Sequence, residues 1–260
     1  MICPRFIPSM QILRVLVAGV LMSAVLIRPV RAQEFSERID GDIGLGAYYT
    51  HNIIRGKSDL VSVLPYGAFD YGRVFMRLDT LGIRTLKLGY GYLEVAGRFS
   101  QDGFRADVPR LRGLANRQDS MPLGLGTMQT TPIGAFFINA FHDVNQSSGN
   151  FFEAIYAAEL GTPALTFYPL AGAEYQSAEY VRYFYGISAQ EAAVSRYAAY
   201  QPSGALNPLL GVMLDARLTD KYHLNFYVRR KWLGHAIQSS PIVETNTLDT
   251  GFIALSYRFE

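Results

Sequence analysis

The sequence predicts an all-β protein: a transmembrane antiparallel β-barrel of about 12 strands, residues 33–260, behind a signal peptide at 1–32. Three observations carry this. The last stretch, Thr247 to Phe259, alternates: Gly251, Ile253, Leu255, Tyr257 and Phe259 are small or greasy, and Thr250, Ala254, Ser256 and Arg258 lie between them, with Phe252 the misfit. Hydrophobic residues make up 49% of the chain, yet no run after residue 32 reaches membrane-helix length. Segments of similar alternation recur along the chain, separated by turn residues. In lipid every backbone polar group needs an internal partner, so such a chain enters a bilayer only as a closed barrel. The alternative for one such strand is the edge of a soluble sandwich.

At the N-terminus, Arg5 and Arg14 precede an apolar core from Val15 to Ile27, and Val30-Arg31-Ala32 has small-x-small cleavage form. Cleavage there starts the mature chain at Gln33. The alternative, an uncleaved anchor, is disfavoured by the shortness of the run. Cys3 leaves with the signal, so the mature chain has no disulfide, thiolate metal site or cysteine nucleophile. Four of the 24 Lys and Arg (Arg5, Arg14, Arg28, Arg31) leave too, so 20 bases face 22 acids. That balance excludes a nucleic-acid partner. Tyr and Phe number 17 and 16 against a single Trp, a supply suited to interfacial girdles.

The mature strands follow in order. Asp42–Asn52 places Ile43, Leu45, Ala47 and Tyr49 on one face, and 52–59 is a polar loop. Val61–Asp70 alternates despite Pro65, which removes a ladder donor. Tyr71-Gly72-Arg73 turns the chain into Val74–Asp79, whose polar phase holds Arg77 and Asp79; Gly82 breaks the run before Leu86–Tyr92. The stretch 97–120 is rich in charge and too long for a compact connection; it is read as a loop, a lumenal plug or a docking segment. Met121–Gln129 and Ile133–His142 form a hairpin, and Phe152–Leu160 and Leu165–Ala173 a second. Tyr180–Ile187 reads as a strand with Arg182 inward, followed by a helical turn or two within 189–199. The clearest hairpin is Leu210–Thr219 with Tyr222–Lys231, turning at Asp220-Lys221.

Both termini then fall on the periplasmic side. The loops 52–59, 188–205 and 234–246 fall outside, and by the same count 97–120 is periplasmic. The inward phases hold Arg77, Asp79, Arg182, Asp215, Arg217, Arg229, Lys231 and Arg258. Such charges pair and fill a small barrel, or line a channel in a wider one. Trp232, Tyr257 and Phe259 are candidate interfacial anchors, and the terminal aromatic is what the barrel-assembly machinery reads.

Catalysis is not indicated. His142 is followed by Asp143-Val144-Asn145 rather than the Ser of an H-x-S-N-G pattern, and His51, His223 and His235 stand apart without a Ser at strand spacing. Four scattered His give no metal cluster, and Gly44-x-Gly46 and Gly124-x-Gly126 lack the helix of a nucleotide loop. No cofactor is expected.

Several segments together resemble the MipA/OmpV family of MltA-interacting outer-membrane proteins. They are Phe69-Asp70-Tyr71-Gly72-Arg73, Gly97-Arg98, Leu111-x-Gly113-Leu114, Tyr183-Phe184-Tyr185-Gly186-Ile187-Ser188, Tyr200-x-Pro202, Trp232, Ser240-Pro241-Ile242-Val243 and Tyr257-Arg258-Phe259. The chain departs from that pattern at Glu260, one residue past the final aromatic. The resemblance implies a non-enzymatic outer-membrane barrel in contact with outer-membrane lipid. It also implies a scaffold tying a murein lytic transglycosylase to a murein synthase. A narrow porin-like channel is the alternative that the lumen charges support.

Overall fold

A computed structural model describes residues 35 and 37–259. The expected signal 1–32, its cleavage site and Glu260 lie outside the described residues. Thirteen strand segments follow in chain order: β1 (Ile39–Thr50), β2 (Leu60–Tyr71), β3 (Val74–Arg77), β4 (Thr80–Leu88), β5 (Gly91–Arg98), β6 (Pro122–Thr131), β7 (Gly134–Asp143), β8 (Asn150–Ala157), β9 (Leu160–Thr162), β10 (Leu165–Gln176), β11 (Ala205–Arg217), β12 (Tyr222–Trp232) and β13 (Thr247–Phe259). Each pairs antiparallel with its neighbour. The ring closes where β13 meets β1, from Gly41↔Phe259 to Thr50↔Thr250. Both β8 and β9 pair with β10, so they share one place in the wall and the barrel has 12 positions.

Alternation explains the wall. Leu45, Val63, Leu81, Leu125, Leu210 and Leu255 are each at least half exposed on the outer surface. The opposite phase carries Gly, polar residues and aromatics that fill the interior. Phe252, the misfit of the last strand, is 6% exposed and packs on Tyr66, Tyr48 and Tyr227 inside the lumen. A second interior cluster joins Phe75, Ala96, Phe141 and Phe151.

Three expectations need correction. Gly82 does not break a strand. It lies in β4, where a Cβ would come 2.5 Å from the Phe75 ring, so its smallness makes room for that ring. The turns fall instead at Leu78-Asp79 and at Gly89-Tyr90, with Leu78 and Gly89 at positive φ. Second, Tyr180–Ile187 is not a strand. Helix α1 (Ala178–Tyr185) occupies it, because Tyr180, Val181, Phe184 and Tyr185 make a one-sided helical stripe, all buried. The count of twelve survived because this false strand offset the missed division of β4 from β5.

Third, 97–120 is not at the end expected. With β3, β4 and β5 all counted, its loop shares an end with 51–59, 177–204 and 233–246. These connections fold together as a cap, with α1, α2 (Ala189–Val194) and α3 (His235–Gln238) among them. Among the described residues, the opposite end carries only short turns and the ends of β1 and β13.

Candidate functional site

The lumen holds a cavity of about 1510 Å³. Arg77, Asp79, Asp215, Arg229, Lys231 and Arg258 line it. Arg182 does not: it is exposed on α1. Arg217 keeps the inward phase but ends β11, where its side chain is exposed at the rim.

Most lumen charges are paired. Arg77 grips Glu94 through two bonds of 2.7 and 2.8 Å. Arg98 crosses to Glu153 at 3.0 and 3.2 Å, and Asn139 adds a third bond to that carboxylate. Lys231 reaches Glu174 at 2.9 Å. Near the turn end, Arg258 of β13 grips Asp42 of β1 at 2.6 and 3.0 Å and Asp215 of β11 at 2.7 Å, and Asp215 also holds His223. This clamp ties the first, last and eleventh strands across the seam. Such bidentate pairs fix geometry as well as charge. Arg229 differs. It forms no hydrogen bond or ion pair among the described residues, and its Nε is buried without a partner. The hydroxyls of Tyr66 and Thr250 on the same cavity are likewise buried and unpartnered.

Sequence reasoning missed Arg84, Glu94, Arg98, Glu153 and Glu174 as lumen groups. Arg98 was hidden in a stretch read as a charged loop, although it ends β5. Glu153 carried a usable signal: it sits on the polar phase of an alternating run.

The cap closes over one end of this space, contributing Asp102, Tyr180 and Tyr185 to its lining. Its apolar centre includes Leu111, Val181, Phe184, Ile187, Ile237 and Ile242, all at most 1% exposed. Isolated bridges join Ile54 to Val243, Phe104 to Arg117, and Ile187 to Tyr200. Arg117 is its polar hub, donating to the carbonyls of Tyr183, Ala115 and Gly186 and to Glu191 at 2.8 Å. Burial raises the Glu191 carboxyl, but bonds from the Ala115 and Ser188 N–H groups and from Arg117, with the Arg117 charge, prevail and hold it at about 2. The Tyr180 hydroxyl donates to Asp102 at 2.6 Å and meets Ser120 at 3.0 Å. Burial, then the Asp102 charge, push that phenol well above its ordinary value. Ser240 Oγ bonds the Tyr185 carbonyl and the Tyr200 hydroxyl bonds that of Ala236. The L-x-G-L, Y-F-Y-G-I-S, Y-x-P and S-P-I-V segments therefore meet in this one structure.

Trp232 ends β12 at 38% exposure; Tyr257 packs edge-on against Tyr222 and Phe259. The four histidines hold structural bonds: His51 with Asp59, His142 with Asn150, His223 with Asp215, and His235 beside Ser239. None joins a serine and an acid in one relay among the described residues.

A closed twelve-position barrel with an apolar exterior and ion-paired lumen has the organisation of bacterial outer-membrane barrels. The chain belongs to the family described as MltA-interacting protein MipA, whose model matches residues 43–259. It is 30% identical over 141 residues to outer membrane protein Omp26La of Vibrio anguillarum and equally to outer membrane protein OmpV of Vibrio cholerae. Each match covers 52% of this chain and 52% of the relative, so the chain matches about half the length of these two. To the putative outer membrane protein YiaT of Escherichia coli it is 22% identical over 84% of this chain and 90% of that one. The protein is an outer-membrane protein.

Proposed function

We propose that the barrel spans the outer membrane and acts as a non-enzymatic interaction protein. Its turn end docks a murein lytic transglycosylase and, through it, a murein synthase. The family's description as MltA-interacting is the observation that carries this reading. The geometry supports it in two ways. The lumen is crossed by ion pairs and covered by the cap, which suits a static platform better than a free pore. Short turns face the periplasm in barrels of this kind. That places Gly72-Arg73, Gly89-Tyr90, Pro132-Ile133, Leu218–Lys221 and the end of β13 toward murein, and the cap outside.

The test is a pull-down from detergent-solubilised envelopes with the mature barrel as bait. Enrichment of a lytic transglycosylase supports the reading; recovery of no murein enzyme overturns it. The size of the cavity favours a second reading, a narrow channel for small solutes. Planar-bilayer recordings separate the two, since single-channel steps that change on Arg229→Ala belong to a pore.

A further inference from the structure

The wall of the barrel is not continuous. Strand β2 pairs with β1 along its whole length, but with β3 only over Ala68–Tyr71. Strand β3 is four residues long and turns back at Leu78-Asp79. The second edge of β2, from Leu60 to Tyr66, therefore has no ladder partner among the described residues. The gap ends below at the Leu78 N–H bond to the Gly67 carbonyl, and the Asp79 carbonyl ties across to Phe99. It lies in the half of the wall nearer the cap.

This notch joins the lumen to the outer surface. Pro65, Met76 and Leu81 stand on the outward phase of their strands, yet they line the same cavity as the inward Tyr66 and Arg77. Pro65 fits such an edge because no ladder there asks for its missing N–H. Leu64, inward by register, is still 38% exposed. The passage is thus apolar where it leaves the barrel, and it leaves through the surface that meets hydrocarbon.

Its inner end is different. Arg229 is paired in register with Thr250, Thr250 with Thr50, and Thr50 with Leu60 at the notch. That row spans three strand spacings, roughly 14 Å. Arg77, Arg98, Lys231 and Arg258 of the cavity each hold an acid, whereas Arg229 holds none. Asp79, Glu153 and Glu174 act on it only through the field. A monoanion in contact with Arg229 gains a charge-assisted bond. A doubly charged phosphate there meets twice the repulsion from those acids that a monoanion meets.

We propose that the notch admits the hydrocarbon tail of a fatty-acid-class amphiphile, with its carboxylate bound to Arg229 and the Thr250 hydroxyl. The inference rests on the bilayer placement proposed above but not on any murein partner.

Native mass spectrometry of the folded barrel released from detergent, titrated with palmitate, tests it. One palmitate per barrel is expected, with Arg229→Gln lowering occupancy at least tenfold and Arg229→Lys retaining most of it. Leu64→Asp, which leaves Arg229 untouched, lowers occupancy by placing charge in the tail's path. Octanoate and hexadecanol at equal concentration bind at least tenfold less, because one lacks the tail and the other the charge. Heat-modifiable gel mobility shows that each variant is folded. Equal occupancy in wild type and Arg229→Gln, equal binding of octanoate and palmitate, or no binding at all overturns the proposal. A barrel that binds no palmitate but still captures a murein enzyme fails this inference alone. A mature chain soluble without detergent fails the bilayer placement itself.

Discussion

Replacing Arg98 with Met probes whether the lumen is held by charge. The guanidinium meets Glu153 through two bonds and also bonds the Thr80 hydroxyl at 3.0 Å. It lies over the Phe141 and Phe151 rings at 5.0 and 5.1 Å. Side-chain exposures of 14% for Arg98 and 4% for Glu153 leave little water to absorb an orphaned charge. Removing one partner of a buried pair costs about 3–5 kcal/mol. Glu153 borders the cavity and keeps its bond from Asn139, so the lower end applies, about 3 kcal/mol. Arg98→Met with Glu153→Gln leaves no buried orphan, because Asp79, 3.7 Å from Arg98, is half exposed, and it is expected to cost far less than the single change. The assay is urea unfolding of the barrel in phospholipid vesicles. Fluorescence follows Trp232, the sole tryptophan in the sequence. A single-variant cost under about 1 kcal/mol refutes the assignment of this pair as a structural strut. So does a double variant whose cost equals the sum of the two single changes.

Other predictions follow from the same geometry. Glu191 is held at about 2 against an ordinary 4.5, so its contribution to the cap is complete above pH 4.5 and is lost as pH falls toward 2. The protection factors of the 99–121 and 177–204 amides, taken against the intrinsic rate at each pH, fall over that window in wild type, and Glu191→Gln shows the lower protection already at neutral pH. Phe75→Ala removes a ring with no solvent exposure from the lumen cluster and lowers stability by about 3–5 kcal/mol in the urea assay. Shortening the cap between Phe104 and Asn116 removes Leu111 and Leu114 from the cluster that holds Tyr180 and Tyr185 over the cavity, and so loosens the cover of a space lined by seven acids (Asp42, Asp79, Asp102, Glu153, Glu159, Glu174, Asp215) against five Lys and Arg (Arg77, Arg98, Arg229, Lys231, Arg258). Planar bilayers then show cation-preferring steps absent from the intact barrel.

Much of the wall was legible because a half-exposed strand writes its pleat into the sequence. β1, β11, β12 and β13 alternate over ten residues or more, long enough for a period of two to stand out. β3 was legible within the strand read at Val74–Asp79, but the division of β4 from β5 was not, because the Gly89-Tyr90 turn falls inside the alternating run Leu86–Tyr92. The segment around Arg182 misled because Val181, Tyr183 and Tyr185 alternate while Tyr180, Val181, Phe184 and Tyr185 also satisfy a helix. Only packing against Leu111 and Ile237 decides between the two periods. The cap was least legible. It is assembled from four connections far apart in sequence, and the Arg117–Glu191 pair spans 74 residues. No local pattern announces such a contact.

The Arg258 clamp has a consequence for biogenesis. Its guanidinium arrives with the last strand, while its acceptors are made earlier: Asp42 on β1, and Asp215 on β11, which His223 of β12 holds through its other oxygen. Shutting the ring and neutralising those two carboxylates are therefore one event. An immature sheet, still open at the seam, carries exposed negative charge that marks it as unfinished and resists sliding into hydrocarbon before its edges have met.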